Sequence, residues 1–256
     1  DVDGDGDVDA YCAVQQNDAS CESLNLLWIN DGAAAFTDES STRLPQTPAT
    51  EWPGISLEAF LLPLDGDGDL DAACVRAEDD DGGGFTSCYV NDGTGVFTFQ
   101  GYVGPATRAG AFGDLDGDGG ADYFGGCHVY FNSQPNGVYT NDGDAHFVAL
   151  VGELPPHATA LYAEDVALGD VEGDGDLDAY VSAYAYTSSS ERTFFLYVNA
   201  GTAQFSDEPA RLPDRLASAN FVDLDLDGDA DLLGRDHEAN SRLFVNDGHG
   251  SFAEGS

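Results

Sequence analysis

The run Asp1-Val2-Asp3-Gly4-Asp5-Gly6-Asp7-Val8-Asp9 places a carboxylate at every second position of nine residues. The same run recurs from Pro63 to Asp71, Asp114 to Asp122, Asp170 to Asp178 and Asp223 to Asp231. With starts at 1, 63, 114, 170 and 223, the copies lie 62, 51, 56 and 53 residues apart, the signature of a repeat architecture. Carboxylates at positions 1, 3, 5 and 9, bent around a Gly at position 6, form an oxygen cage for a hard cation. Calcium takes six to eight such oxygens. Two carboxylates 4 Å apart repel by about 4 kcal/mol at an effective dielectric of 20, so the loops are expected to need a cation. A solvated acidic linker is the alternative for an Asp-Gly run, but apolar strands flank every copy.

The expected ligands can be read loop by loop, with up to five calcium ions in all. They are Asp1, Asp3, Asp5, Asp7 and Asp9 in the first copy, and Asp65, Asp67, Asp69 and Asp71 in the second. The third offers Asp114, Asp116, Asp118, Gly120 and Asp122; the fourth Asp170, Glu172, Asp174, Asp176 and Asp178; the fifth Asp223, Asp225, Asp227, Asp229 and Asp231. Gly120 at position 7 implies that this position gives only its backbone carbonyl. Pro63 removes one side-chain ligand, so the second site is expected to be the weakest. An EF-hand would need an acidic residue at position 12, where Cys12, Cys74, Gly125, Val181 and Gly234 stand.

Strands must position these loops. An apolar run follows each one (Asp9–Val14, Asp71–Val75, Asp122–Cys127, Asp178–Ala183, Asp231–Gly234). A further strand then ends in Asn30, Asn91, Asn141, Asn199 or Asn246. Two residues before that Asn stands Trp28, Tyr89, Tyr139, Tyr197 or Phe244, and six after it Phe36, Phe97, Phe147, Phe205 or Phe252. Asn-Asp-Gly, or Asn-Ala-Gly at 199–201, marks a hairpin between them. Ten aromatics at fixed register are expected in the core. Before four of the loops, alternating large and small residues (Leu61, Phe112, Leu168, Phe221 against Ala59, Gly110, Val166, Ala219) predict one more strand. The fold class is therefore all-β: four-stranded antiparallel blades in five units (about 1–53, 54–104, 105–157, 158–213 and 214–256), the first lacking its opening strand. Repeated blades make a β-propeller, and no helix is predicted.

Charge and cysteine usage bound the setting. Forty-eight acidic residues oppose eight Arg and no Lys, giving a formal −40, which excludes nucleic acid and anionic membranes as partners. No apolar run is long enough to span a bilayer. The chain starts inside a motif without Met, so a processed or trimmed piece of a longer precursor is expected. Cys12 with Cys21, and Cys74 with Cys88, each bracket one unit, and two local disulfides would place the protein outside the cytoplasm. Cys127 is expected to be a small buried residue.

The run Phe112-Gly113-Asp114-Leu115-Asp116-Gly117-Asp118-Gly119 resembles the FG-GAP and VCBS repeats of integrin α-chain propellers and their bacterial relatives. The resemblance extends over nearly the whole chain. It implies a ring of about seven blades, with calcium between the first and second strands and the ligand surface on the opposite face. Five units and a missing opening strand depart from that plan. The missing strand would come from the parent chain or a neighbouring subunit, or the first blade would be three-stranded.

The function expected is a secreted or cell-surface adhesion module that recognises a glycan or protein. Recognition would use the variable connections, which carry Trp52, Arg76, His128, Tyr184, Tyr186 and Arg192. Two alternatives stand beside it: a subunit of an extracellular filament joined by strand exchange with copies of itself, and a polysaccharide lyase. The lyase is disfavoured, since there is no Lys and His128, His146, His157, His237 and His249 share no motif spacing. The chain is expected not to be an enzyme.

Overall fold

The computed structural model describes residues 1–14, 25–45, 55–77, 86–104, 109–126, 136–155, 161–185 and 188–255. The first repeat forms β1 (Ala10–Cys12), β2 (Leu26–Asn30) and β3 (Phe36–Asp38), a sheet of three strands in the order β1-β2-β3. The second forms β4 (Ile55–Leu62), β5 (Asp71–Ala77), β6 (Thr86–Asn91) and β7 (Phe97–Val103). The third forms β8 (Gly110–Gly113), β9 (Asp122–Gly125), β10 (Gly137–Asn141) and β11 (Phe147–Leu150). The fourth forms β12 (Leu161–Gly169), β13 (Asp178–Ala185), β14 (Ser188–Asn199) and β15 (Phe205–Asp207). The fifth forms β16 (Ser218–Val222), β17 (Asp231–Arg235), β18 (Ser241–Asn246) and β19 (Phe252–Glu254). Strands run in sequence order across each four-stranded sheet, and neighbours are antiparallel wherever the register is described.

In the second to fifth repeats the acidic loop joins the first and second strands and its last Asp opens the second strand, whereas in the first repeat the loop leads directly into β1. Gly at position 6 carries that bend: φ is +94° at Gly6 and +101° at Gly228, a region closed to most side chains. The Asn-Asp-Gly hairpins are wider than a two-residue turn. Asn30 pairs with Phe36, and Asn246 with Phe252, so five residues form each turn. The Asp closes it from inside: Asp31 Oδ1 accepts from Ala33 N–H (2.9 Å) and Ala35 N–H (3.2 Å), and Asp247 Oδ1 from His249 N–H (3.0 Å) and Ser251 N–H (3.1 Å).

Two expectations about local structure are corrected first. The chain does form helical turns, a single α-turn α1 (Ser40–Arg43) and a 3-10 turn (Pro209–Arg211). Each is too short to leave a helical period in the sequence. The Cys74–Cys88 disulfide does not form. Cys74 pairs in register with Ser87 and Cys88 with Ala73, so the two thiols leave the sheet on opposite faces. The Cys74 Sγ instead accepts from Asn25 Nδ2 at 2.8 Å, and burial pushes the Cys88 thiol up. Cys12 is also a free thiol; Cys21 and Cys127 lie outside the described residues.

The chain divides into two units, residues 1–107 with 141–147, and residues 108–140 with 148–256. In the first, the core lies between the first and second sheets. Val2 and Leu27 meet Ala72, Cys74, Tyr89 and Phe97. The second holds two such cores. Leu115, Phe124 and Val138 of the third repeat meet Ala179, Tyr197 and Phe205 of the fourth; Val171, Tyr180 and Leu196 of the fourth meet Leu232, Phe244 and Phe252 of the fifth. Every one of these cores is a junction between consecutive sheets. Tyr89, Phe97, Tyr197, Phe205, Phe244 and Phe252 therefore lie on the face that their sheet turns to its predecessor, whereas Trp28 and Phe36, expected in the core, are exposed.

Candidate metal centres

Position 9 is the keystone of each loop. Its carboxylate is buried at the start of the second strand, with Asp71, Asp122 and Asp231 at 0% exposure. Oδ2 accepts the position-2 N–H in all five loops, at 2.8 Å from Val2 and Val171, 2.7 Å from Leu64, 2.9 Å from Leu115 and 3.1 Å from Leu224. Oδ1 accepts the N–H of the strand-ending Asn at 2.9 Å from Asn30, 2.8 Å from Asn91, 2.7 Å from Asn199 and 2.9 Å from Asn246. Burial raises the carboxyls of Asp71 and Asp178, the latter to about 7, despite these N–H donors.

Position 1 shapes the loop. Asp1 accepts from Gly4 N–H (2.8 Å) and Gly6 N–H (3.0 Å), and Asp114, Asp170 and Asp223 repeat that pair of bonds. Pro63 has no acceptor to offer, so the 63–71 loop lacks this brace as well as a ligand. Position 5 accepts the position-7 N–H in every loop, at 2.9 Å in the case of Asp7 to Asp5.

Position 7 faces elsewhere. The carboxylates of Asp7, Asp69, Asp176 and Asp229 lie on Gly32, Gly93, Gly201 and Gly248, the glycines of the hairpin turns, where any added Cβ would strike them. Position 7 thus has only its backbone carbonyl to turn toward an ion, as Gly120 does by default.

Three loops bring carboxylate oxygens within 4.8 Å of one another: Asp1, Asp3 and Asp5; Asp114, Asp116 and Asp122; Asp223, Asp225 and Asp227. Asp3 Oδ1 is buried in the first of these with no hydrogen-bond partner. In the third loop, burial and the neighbouring Asp118 raise the Asp116 carboxyl. Packed like-charged oxygens and an orphaned acceptor fit a divalent cation, and an all-oxygen donor set fits calcium or magnesium better than a softer metal. The other two loops do not converge in this way. Pro63 leaves the second one short, and in the fourth Glu172 turns toward Arg211 (Oε2 to Nη1 3.5 Å).

Two ties between repeats went unread in the sequence. Asn91 Nδ2 donates to Val2 O (2.7 Å), Asn141 to Leu64 O (2.7 Å), Asn199 to Leu115 O (2.8 Å) and Asn246 to Val171 O (2.8 Å). The strand-ending Asn thus fastens its repeat to the position-2 carbonyl of the loop before it. The fixed recurrence of that Asn was the available signal. The second tie is an arginine clasp. Arg43 bonds Glu39, reaches Asp3 Oδ2 at 3.4 Å and donates to Thr94 O; Arg211 bonds Glu208, reaches Glu172 and donates to His249 O at 2.9 Å. Both arginines come from the two short helical turns.

Of the residues expected to recognise a partner, Trp52, His128 and Tyr186 lie outside the described residues. Arg76 sits in β5, Tyr184 in β13 and Arg192 in β14, so these three belong to strands and not, as expected, to the connections. Tyr184 stacks on Tyr162, ring centroids 5.0 Å apart and planes 16° from parallel.

Residues 114–181, from the third acidic loop into β13, match the family model of an FG-GAP-like repeat. No curated protein matches the chain.

Proposed function

We propose that this chain, which carries an FG-GAP-like repeat, is a calcium-stabilised binding module of the extracellular space whose sheets are the blades of a β-propeller. The observation that supports this most is repetition. Five acidic loops share one hydrogen-bond plan around a buried position-9 carboxylate, and four are fastened to the next repeat by the same Asn bond. Such loops suit a compartment where calcium is abundant, because exposed extracellular sites work at about 10⁻⁴–10⁻³ M.

Calcium would be held by positions 1, 3, 5 and 9 with the position-7 carbonyl, and would supply charge neutralisation rather than chemistry. The chain's own residues do the rest. Position 9 aligns two backbone N–H groups, position 1 braces the glycines, and the Asn joins repeats. Partner recognition falls to the connections between strands together with the strand end beside them, where Tyr184 near the end of β13 offers aromatic surface to a sugar or protein. The reading is non-enzymatic.

The test is a glycan array and surface-protein capture in millimolar calcium, comparing wild type with a Trp52→Ala, Tyr184→Ala, Tyr186→Ala triple variant. The triple variant should lose binding with its melting temperature within a few degrees of wild type. Binding that survives the triple change but disappears on mutation of exposed acidic-loop residues would contradict the assignment.

A further inference from the structure

The outer strand ends early in three repeats. β3 (Phe36-Thr37-Asp38), β15 (Phe205-Ser206-Asp207) and β19 (Phe252-Ala253-Glu254) each run three residues and close on a carboxylate. The chain then turns inward. The N–H groups of Glu39, Glu208 and Gly255 donate to the Leu27, Leu196 and Leu243 carbonyls at 3.0, 2.7 and 2.8 Å. An edge strand leaves a row of N–H and C=O groups pointing outward, and a short edge closed by a charge guards against pairing with another chain.

β7 departs from this plan. The residue in the place of Glu39 and Glu208 is Gln100, which bulges out between the pairs Phe99 with Tyr89 and Gly101 with Cys88. The strand then continues, with Tyr102 opposite Ser87 and Val103 opposite Thr86. Its seven residues, Phe97–Val103, include no charge and no Pro. β7 is the outermost strand of its sheet, and among the described residues no strand pairs with its free side. β11 (Phe147–Leu150) is also uncharged, but it stops after four residues, and just beyond it Glu153 O accepts Phe205 N–H.

Two features beside β7 indicate what would lie on it. Tyr102, 47% exposed, stands edge-to-face against Phe99 with centroids 5.0 Å apart, and Phe99 lies 5.6 Å from Tyr89. These rings form an apolar ledge along the edge. Gln100 Nε2 donates to Asp144 O at 3.4 Å, so the turn Asp142-Gly143-Asp144 stands beside the middle of the strand, with both aspartates exposed. A second copy of the chain would set −40 against −40, whereas a cationic segment is attracted both by the whole chain and by this turn.

We propose that the outer edge of β7 takes an extended, Lys- or Arg-bearing segment of another protein by strand addition. Main-chain bonds to β7 supply the affinity, and side chains at alternate positions supply the selectivity. An apolar side chain of the segment lies on Tyr102, and a cation near Gln100 meets Asp142 and Asp144. The site uses the edge of one sheet and none of the residues assigned to recognition above.

Fluorescence anisotropy in millimolar calcium and physiological salt tests this with a short labelled peptide that alternates Val with Lys or Thr. Wild type should bind it at one site. The same peptide with Glu for Lys should bind at least tenfold more weakly. So should the Lys peptide N-methylated at alternate residues, which keeps its charge but cannot complete a ladder. Thr98→Lys with Gln100→Lys changes two exposed side chains and should melt as wild type does, yet lose the Lys peptide and gain the Glu peptide. The Trp52→Ala, Tyr184→Ala, Tyr186→Ala variant should bind the Lys peptide unchanged, which keeps this result separate from the fate of the recognition surface. A wild type that does not bind the Lys peptide overturns the proposal, and so does equal binding of the N-methylated form, which would reduce the effect to charge alone. Sedimentation showing a wild-type dimer that the two lysines abolish would also overturn it, by making a second copy the occupant.

Discussion

The loops at 1–9 and 170–178 and those at 63–71 and 114–122 face the same two needs in different ways. Each must offer a partner to the position-2 carbonyl and offset the charge at position 3. In the first pair an arginine reaches the position-3 carboxylate and clasps the next turn, and that turn carries Gly95 or Gly250, where a Cβ would strike the guanidinium. In the second pair Ala145 or Ala203 fills that place and its N–H bonds the position-2 carbonyl directly. Asp65 and Asp116 there accept from their own loop, at Asp67 N–H and Asp118 N–H. One backbone plan thus tolerates two electrostatic solutions. The difference separates what is fixed, position 9 and the Asn, from what is exchangeable.

The largest effect should come from the fixed part. Asp178→Ala strands two buried backbone N–H groups and Asp231→Ala one buried and one half-buried, at about 1–3 kcal/mol for each buried group, and either removes a ligand. A loss of about 3–5 kcal/mol by urea denaturation is expected, equal in clasped and unclasped loops. A loss below about 1 kcal/mol would break the distinction.

The exchangeable part should matter less and depend on the ion. Arg211→Ala removes a charge-assisted bond to Glu208, a contact to Glu172 and a bond to His249 O, and is expected to cost about 1–2 kcal/mol after allowance for partial exposure. The cost should be greater in chelator than in calcium, because the guanidinium then stands alone against the loop's charge. Equal costs would mean that the clasp acts through packing.

Proton linkage sharpens the same comparison. Burial lifts the Asp178 carboxyl to about 7 in the folded chain, above its unfolded value near 3.8. The folded state therefore holds the extra proton, and the stability this brings is lost as pH rises toward and through about 7. Metal-free protein should melt several degrees higher at pH 5.5 than at pH 8, and Asp178→Asn should flatten that slope. In calcium the order should reverse, since the ion binds the ionised form.

The smallest effect belongs to position 7. Asp176→Ala removes a side chain that lies on the Gly201 turn and should change stability by less than about 0.5 kcal/mol, and calcium affinity by less than twofold. A site abolished by this change would place the carboxylate among the ligands.

Much of this plan was legible in the sequence because the plan repeats. The Asn that ends a strand and the Phe that begins the next fall at those positions in all five repeats, since a fixed register leaves an arithmetic trace. The converging carboxylates were legible for the same reason. The clasps were not, because Arg43 and Arg211 sit on single helical turns at unequal distances from their loops, and among the described residues two junctions use them. The Cys74–Cys88 pairing failed because sequence proximity does not report sheet face; a register of Cys74 with Ser87 decides it. Glu172 matched Asp as a ligand type, but its longer arm brings it to Arg211 instead of a converging cluster.

The central claim, that the acidic loops are a calcium-dependent scaffold, is tested most directly by melting the chain at neutral pH in millimolar calcium and again in EGTA. An ion at 100 times its dissociation constant stabilises the native state by about 2.7 kcal/mol per site. Several such sites approach the whole stability of an ordinary domain, so EGTA should unfold the chain or lower its melting temperature by tens of degrees. High sodium chloride should restore only part of that, because screening supplies no ligands. A melting temperature unmoved by EGTA, with the loops shown to be free of metal, would contradict the account.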